Sequence, residues 1–196
     1  MNQSRSIDEF AHWPLDEWPA IFPAGRIERI YLHWSGGDRT SVFDAYHFCV
    51  AETAAGITVV ETHDLRANMR DVSADPTLPY AQHTAGRNSF AAGLSIMGME
   101  AARPDDFGRY PITADGIAAL CSVIARLAVF YGIPLDAEHV MTHAEAAILD
   151  GYYGLHEIDE RWDLARLSAR PERLTEQDAR EAGAQLRRNA SNGNTR

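Results

Sequence analysis

Two histidines and one aspartate, His33, His143 and Asp163, are the side chains of this chain best suited to bind a metal ion together. Each of them ends or follows an apolar segment that should be buried. Two imidazoles and one carboxylate, with a fourth position left for water, form the ligand set of a catalytic zinc centre rather than a structural one. Convergence of the three would predict a hydrolase, but their spacings of 110 and 20 residues do not form a motif. The elements that carry them determine whether they meet.

Short strand-like segments lead to both histidines. The β-branched and aromatic residues of segment 26–34 predict a buried strand that ends beside a glycine-rich loop, so His33 lies at its carboxyl end. Segment 139–143 alternates and predicts a second short strand, followed by a helix from Ala144 to Leu149. Because open α/β sheets bind ligands at the carboxyl ends of their strands, this placement favours a shared site.

Further segments complete the predicted fold. Segments 45–50 and 56–61 predict an antiparallel hairpin, and segment 92–98 predicts another buried strand. A long helix is predicted from Thr113, its N-cap, to Gly132, its end, because apolar residues recur between these two at steps of three and four residues. Strands and helices therefore interleave along most of the chain.

This order predicts a single α/β domain with a central mixed sheet flanked by helices and a zinc site at the carboxyl ends of the strands. Residues 1–25 are expected to form an irregular arm whose aromatic side chains pack onto the domain, because they show neither a helical nor a strand period. Residues 26–170 form the main domain. Residues 171–196 are expected to form a C-terminal helix, from Leu174 to about Arg188, and a disordered tail from Ser191.

The composition argues against several classes of partner. The 196 residues carry a net charge of −10 and have a pI near 5.2, so no basic footprint is present for a phosphate backbone or an anionic lipid surface. Nucleic acid is therefore not an expected partner. Cys49 and Cys121 lie in unrelated apolar contexts and are expected to be buried free thiols.

The N-terminal residues lack the continuous apolar stretch of a signal peptide, and no later segment approaches the apolar length of a membrane span. The sequence therefore predicts a protein that is synthesised in the cytoplasm and does not insert into a membrane. If its substrate lies outside, release or secretion must bring the protein to it. The pattern gives no indication of an oligomeric state.

Six short segments that include the candidate ligands occur in a specific order along the chain. They are Ile30–Ser35, Ala45–Phe48, Gln82–Gly86, Gly93–Gly98, Met141–Glu145 and Arg161–Leu164. Together they resemble the zinc-dependent N-acetylmuramoyl-L-alanine amidase family, which includes phage T7 lysozyme and the peptidoglycan recognition proteins. The resemblance spans about residues 26 to 167 and identifies the main domain as amidase-like.

This resemblance implies a role for each matched residue. His33, His143 and Asp163 would be the zinc ligands, and Tyr46 would lie beside the metal and assist catalysis. Arg161 stands where relatives usually carry a catalytic lysine. It is a departure from the family, since arginine can donate hydrogen bonds to an oxyanion but stays charged and cannot shuttle a proton.

Substrate contacts are expected at His83, Trp34 and Asn88, which lie in or beside the matched segments. Ser95 stands nearest the place where cytoplasmic enzymes that recycle anhydromuropeptides carry a glutamate, so the chain resembles the phage type more closely. The resemblance implies hydrolysis of the amide between N-acetylmuramic acid and L-alanine, as in cell-wall lysis by endolysins. Zn²⁺ would be the cofactor, and peptidoglycan or a muropeptide the partner.

Three other hypotheses stay open at this point. The chain could be a non-catalytic peptidoglycan-binding module of the same fold, a cytoplasmic amidase that recycles anhydromuropeptides, or a structural domain with an incidental histidine pair. Two nearby residues have structural interpretations. His47 would face away from Tyr46 on the same strand and be packed or hydrogen-bonded, and Glu145 would be a charge at the start of a helix.

Overall fold

A six-stranded mixed sheet forms the centre of the fold. The structure, a computed structural model, describes residues 4–12, 14, 17, 22–154 and 161–193. Its strands are β1 Ser4–Ser6, β2 Arg29–Trp34, β3 Phe48–Thr53, β4 Gly56–Glu61, β5 Ala91–Ile96 and β6 Val140–Thr142. Its helices are α1 Ile7–His12, α2 Ala114–Tyr131, α3 His143–Asp150 and α4 Glu176–Gly193, with a 3-10 helix at Leu65–Asn68. The strand order is β1-β4-β3-β5-β2-β6.

The strands at the centre of the sheet run parallel. β2 pairs in parallel with β5 on one side and β6 on the other, and β3 is parallel to β5. β4 and β1 extend the sheet in antiparallel orientation. Every residue of β5 and all but the first of β2 are buried, as expected for parallel strands that are covered on both faces. The predicted single α/β domain with a mixed sheet and flanking helices is confirmed.

The predicted hairpin is present with shifted bounds. β3 pairs with β4 in register from Phe48 opposite Glu61 to Thr53 opposite Gly56, so the turn consists of Ala54 and Ala55. The sequence predicted a strand from residue 45, but Ala45 to His47 precede β3. Tyr46 therefore lies in the connection that leads to β3, which leaves its side chain free to approach the carboxyl end of β2.

Helix α2 has the predicted bounds and caps. The Thr113 side chain accepts a hydrogen bond from the backbone N–H of Gly116, and Gly132 ends the helix in the left-handed region with φ of 67°. By length and composition α2 could cross a membrane, contrary to the expectation that no segment approaches such a length. Half of that window is buried, however, and its apolar side chains belong to the main hydrophobic core, where they pack against the sheet.

The N-terminal arm is more regular than the sequence indicated. Ser4–Ser6 form the edge strand β1 on β4, and the short helix α1 follows directly. The expectation that arm aromatics pack onto the domain is confirmed for Phe22, whose ring lies 5.8 Å from that of Phe48 and 6.2 Å from that of Phe10. Trp13 and Trp18 lie outside the described residues.

Helix α4 is longer than predicted. It runs from Glu176 to Gly193, so Ser191 and its neighbours are helical rather than part of a disordered tail, and residues 194–196 lie outside the described chain. Leu186 and Ala190 are buried where α4 packs on α2. Cys49 and Cys121 are buried free thiols, as expected.

Candidate metal centre

Strand pairing brings the two candidate histidines together. In the parallel register of β2 and β6, Leu32 lies opposite Thr142, so His33 and His143 are the next residues on neighbouring strands. His143 is also the first residue of α3, whose N-terminus is closed by a capping box between Thr142 and Glu145. The backbone thus fixes both imidazoles at the carboxyl ends of their strands before any side-chain contact is made.

Asp163 reaches the same place from a loop. The carbonyl oxygen of Asp163 accepts a hydrogen bond from the N–H of Ala144 at 3.1 Å, which ties this loop to the first turn of α3. Leu164, fully buried, has a positive φ of 59°, an uncommon conformation for a residue with a branched side chain. The chain therefore turns sharply directly after Asp163, and this turn leaves its carboxylate beside the histidines.

The three candidate ligand atoms form a nearly regular triangle. His33 Nδ1 lies 3.0 Å from His143 Nδ1 and 3.6 Å from Asp163 Oδ2, and His143 Nδ1 lies 3.2 Å from Asp163 Oδ2. Tetrahedral coordination with bonds of about 2.0 to 2.1 Å separates neighbouring ligand atoms by about 3.3 Å. The side chains present therefore fit a tetrahedral metal ion with three protein ligands. Among the described residues, this is the group of histidine, cysteine and acidic side chains that could hold a metal.

The electrostatics of the group also suit a cation. Burial lowers the pKa of His33 to about 4, although Asp163 acts in the opposite direction. Burial alone would raise the pKa of Asp163, but its contacts with the imidazoles of His143 and His33 outweigh this effect and lower the pKa below its ordinary value. At neutral pH the group therefore combines a neutral His33 imidazole with an ionised carboxylate, which are the protonation states that metal binding requires.

Thr84 is a site residue that the sequence interpretation missed. When Nδ1 of His33 binds a metal, Nε2 must carry the ring proton and would donate it to Thr84 Oγ1, which lies 3.2 Å away. The Thr84 hydroxyl in turn lies 3.0 Å from Nδ1 of His83. Such a hydrogen bond fixes the ring orientation and tautomer of a metal-ligating histidine. The available signal was its place in the matched segment, directly after His83.

An open cavity of about 700 Å³ lies over the candidate ligands. Its lining comprises the three ligands and a set of polar and aromatic side chains, among them Tyr46, Tyr80, Gln82, His83, Asn88, Tyr152 and Arg161. Cavities of this size accept small organic ligands. A substrate in this cavity would therefore lie beside the three candidate ligands.

Both predicted catalytic side chains line this cavity. The Tyr46 ring lies 5.1 Å from the His33 ring, and burial together with the charge of Asp163 raises the pKa of its hydroxyl. Tyr46 therefore remains a hydrogen-bond donor at neutral pH. Arg161 brings a positive charge near both residues, which adds to the lowering of the His33 pKa and partly opposes the rise of the Tyr46 pKa. Its guanidinium group is permanently charged, so it offers hydrogen bonds rather than protons.

The three predicted substrate contacts have different environments. His83 lines the cavity, but its ring packs so closely over Gly93 that a Cβ there would overlap it. Asn88 also lines the cavity, and its Oδ1 accepts from the N–H of Thr84 at 2.9 Å, so it supports the loop that orients His33. The prediction that Trp34 contacts the substrate requires correction. This residue lies in the core, with its ring 4.5 Å from that of Trp162, and does not line the cavity.

The structural interpretations of His47 and Glu145 are confirmed. Nε2 of His47 donates to Asn68 Oδ1 at 3.1 Å, and its Nδ1 accepts from the N–H of Gly93 at 2.9 Å, so both ring nitrogens are satisfied. Glu145 caps α3 and forms an ion pair with Arg187. Neither residue lines the cavity.

Tyr152 is a further residue of the cavity wall, in a stretch for which the sequence left a substrate groove and a longer loop as alternatives. Its ring lies 5.9 Å from that of His143, and its buried hydroxyl has no hydrogen-bond partner among the described residues. Burial, reinforced by Asp150, raises the pKa of this hydroxyl to about 12. Tyr152 also lines an adjoining cavity of about 650 Å³ together with Arg29 and Arg87. An unsatisfied donor thus lies where the two cavities meet.

A scan of the chain against models of known protein families finds no match, and no curated protein is found to match its sequence. The candidate centre therefore rests on the geometry of His33, His143 and Asp163 and on the cavity above them.

Proposed function

We propose that this protein is a zinc-dependent amidase that hydrolyses the bond between N-acetylmuramic acid and L-alanine in peptidoglycan. The observation that carries the proposal is the triangle of ligand atoms, 3.0 to 3.6 Å apart, in a cavity that also holds Tyr46 and Arg161. The resemblance of six ordered segments supports the choice of substrate. Because intact peptidoglycan lies outside the cytoplasm, the protein would act there after release or secretion.

The donor set supports zinc among the common metals. Magnesium and calcium prefer sets made of oxygen ligands, whereas zinc is commonly held by two histidines and a carboxylate. When bound, zinc would polarise the scissile carbonyl group and lower the pKa of a water molecule towards neutrality. His33, His143 and Asp163 would hold the ion, and all three line the cavity that would receive the substrate.

Arg161 and Tyr46 have complementary roles in the proposed reaction. Amide hydrolysis passes through a tetrahedral state with a negatively charged oxygen, and hydrogen bonds from a fixed cation stabilise that charge. Arg161 supplies such a cation on the cavity wall. The raised pKa of Tyr46 keeps its hydroxyl protonated, so it would orient the substrate as a donor rather than act as a base.

The adjoining cavity supports a substrate longer than a single amide. It shares Ala85, Gly86 and Tyr152 with the metal cavity, so one extended ligand could occupy both. Arg29 and Arg87 give this second cavity positive charge in a chain whose net charge is −10. A carboxylate-bearing stem peptide would be attracted to it, although Arg87 already forms a bidentate pair with Asp150 at 2.6 and 2.7 Å.

The test combines metal analysis with product analysis. We expect the purified protein to bind one zinc ion and to release new L-alanine amino termini from purified sacculi without new reducing sugar ends. His33→Ala should abolish both properties, whereas His139→Ala should leave them unchanged, because His139 contacts Asp136 outside the cavity.

The possible outcomes separate the alternatives. A protein that binds zinc and sacculi but releases nothing would be a peptidoglycan-binding module. Activity on soluble anhydromuropeptides but not on cross-linked sacculi would indicate a recycling amidase. Absence of bound metal would contradict the proposed centre altogether.

A further inference from the structure

We infer that helix α4, which lies outside the segments that carry the amidase resemblance, positions the second metal ligand through the ion pair of Arg187 and Glu145. The inference rests on the proposed metal centre. His143 lies between Thr142 and Glu145, at the junction where β6 passes into α3. Arg187 would thus be a positioning residue that never contacts the substrate.

One guanidinium group binds both sides of this junction. Arg187 Nη1 donates to Glu145 Oε2 and Nη2 to Glu145 Oε1, each at 2.9 Å, in a bidentate pair. Nη1 also donates to the carbonyl oxygen of Val140 in β6 at 2.8 Å. Arg187 therefore links the strand that precedes His143 to the helix that begins with it.

Glu145 passes this restraint on to the backbone around His143. Its Oε2 accepts from the N–H of Thr142 at 3.0 Å, and its own N–H donates to Thr142 Oγ1 at 3.1 Å. These two hydrogen bonds enclose His143 in a closed backbone turn. A rotation of the Glu145 carboxylate would break the bond to Thr142 and release the backbone that aims the His143 ring.

The pair is buried and tightly enclosed. The side chains of Arg187 and Glu145 are 11% and 9% exposed, so loss of either partner would leave an uncompensated charge in the interior. Gly183 on α4 lies directly against the carboxylate, and a Cβ at this position would overlap it. Glycine is unfavourable within a helix, and its presence in the middle of α4 fits the need for this close approach.

The experiment measures zinc affinity with a competing chromophoric chelator, on full-length protein whose folding is verified by circular dichroism. Arg187→Lys keeps the charge but loses the two-pronged geometry. We expect it to bind zinc about 10- to 100-fold more weakly, the loss typical of outer partners of metal ligands. Gly183→Ala, which retains both charges and displaces the carboxylate, should weaken binding in the same direction and serves if Arg187→Lys does not fold.

Leu186→Ala is the matched control. Leu186 neighbours Arg187, is fully buried and belongs to the main hydrophobic core that α4 packs against. The substitution should lower the thermal midpoint but leave zinc affinity within about twofold of the wild-type protein, because it removes none of the hydrogen bonds that join Arg187 to Glu145 and Val140. Equal losses of affinity in Leu186→Ala and Arg187→Lys, or unchanged affinity in Arg187→Lys and Gly183→Ala, would overturn the positioning role alone. A wild-type protein that binds no zinc would overturn the metal centre as well.

Discussion

His33 and His47 are both fully buried, and burial lowers the pKa of each, yet their surroundings differ in one decisive way. Protein groups satisfy both ring nitrogens of His47, one as donor and one as acceptor. Nδ1 of His33 instead lies 3.0 Å from Nδ1 of a second imidazole and 3.6 Å from a carboxylate oxygen, so three potential metal-ligand atoms converge. Burial alone therefore does not indicate a metal ligand, whereas the convergence of three potential ligand atoms does.

The largest expected effect separates these two histidines. His33→Ala should reduce zinc affinity by more than the roughly 10- to 100-fold loss typical of outer-partner changes, because it removes a ligand itself. His47→Gln should retain the zinc and instead lower the free energy of unfolding by about 1 to 3 kcal/mol, since it leaves a buried polar group unsatisfied. Elemental analysis and urea unfolding of both variants measure these effects. Zinc loss in His47→Gln would break the comparison.

Substitutions of Arg161 test whether the cation beside the candidate ligands takes part in catalysis. Arg161→Ala should lower kcat by about 100- to 1000-fold, the usual loss of one oxyanion partner, while zinc remains bound. Arg161→Lys should recover part of the activity because it restores a charged donor at this position. Turnover on sacculi at saturating zinc is the measurement. Near-wild-type turnover of Arg161→Ala would remove this residue from the proposed reaction.

Substitutions of Thr84 test the role of the second ring nitrogen of His33, Nε2. Thr84→Val removes the acceptor for Nε2–H of His33 while keeping the side-chain shape, so zinc affinity should fall about 10- to 100-fold. Thr84→Ser keeps the hydroxyl and should bind zinc almost as tightly as the wild-type protein. Chelator competition on the three proteins checks this prediction. Equal affinities for the valine and serine variants would contradict it.

The last effect, which is the smallest when counted for one histidine over one pH unit, is on stability against acid. The folded-state pKa values of His33 and His47, about 4 and about 3, lie below the ordinary value of 6.5, so below that pH the unfolded chain binds more protons. The stability of the metal-free protein should be complete above pH 6.5 and fall by about 1.4 kcal/mol per pH unit for each histidine as the pH drops towards these values. Urea unfolding between pH 7.5 and 5 measures the slope, which His47→Gln should reduce. A flat profile would show that these rings are not buried as neutral groups.

Local patterns in the sequence predict much of this fold. The caps of α2, the β3–β4 hairpin and the strands that lead to His33 and His143 follow from neighbouring residues. Strand β1 could not be predicted in this way, because its three polar residues gain their conformation from pairing with β4. Propensity carries little information where a distant partner supplies the hydrogen bonds.

The candidate site likewise contains residues that the sequence indicates and residues that it does not. Metal-ligand chemistry indicated His33, His143 and Asp163, but Thr84 and Arg187 act through contacts across 51 and 42 residues that no local pattern reveals. The misplacement of Trp34 had a different cause. Successive side chains of a strand point to opposite faces, so a neighbour of His33 on β2 should have been assigned to the face away from it.

The pairing of β2 with β6 also determines where the chain can change length. A one-residue insertion or deletion in either strand would turn His33 or His143 to the opposite face of the sheet, so these strands should tolerate none. Between Gly154 and Arg161 the situation differs, because hydrogen bonds from Arg161 to Tyr152 and from Gly154 to Arg161 join the two ends of the intervening segment. Related chains could therefore carry segments of very different length at this position and still deliver Asp163 to the same point.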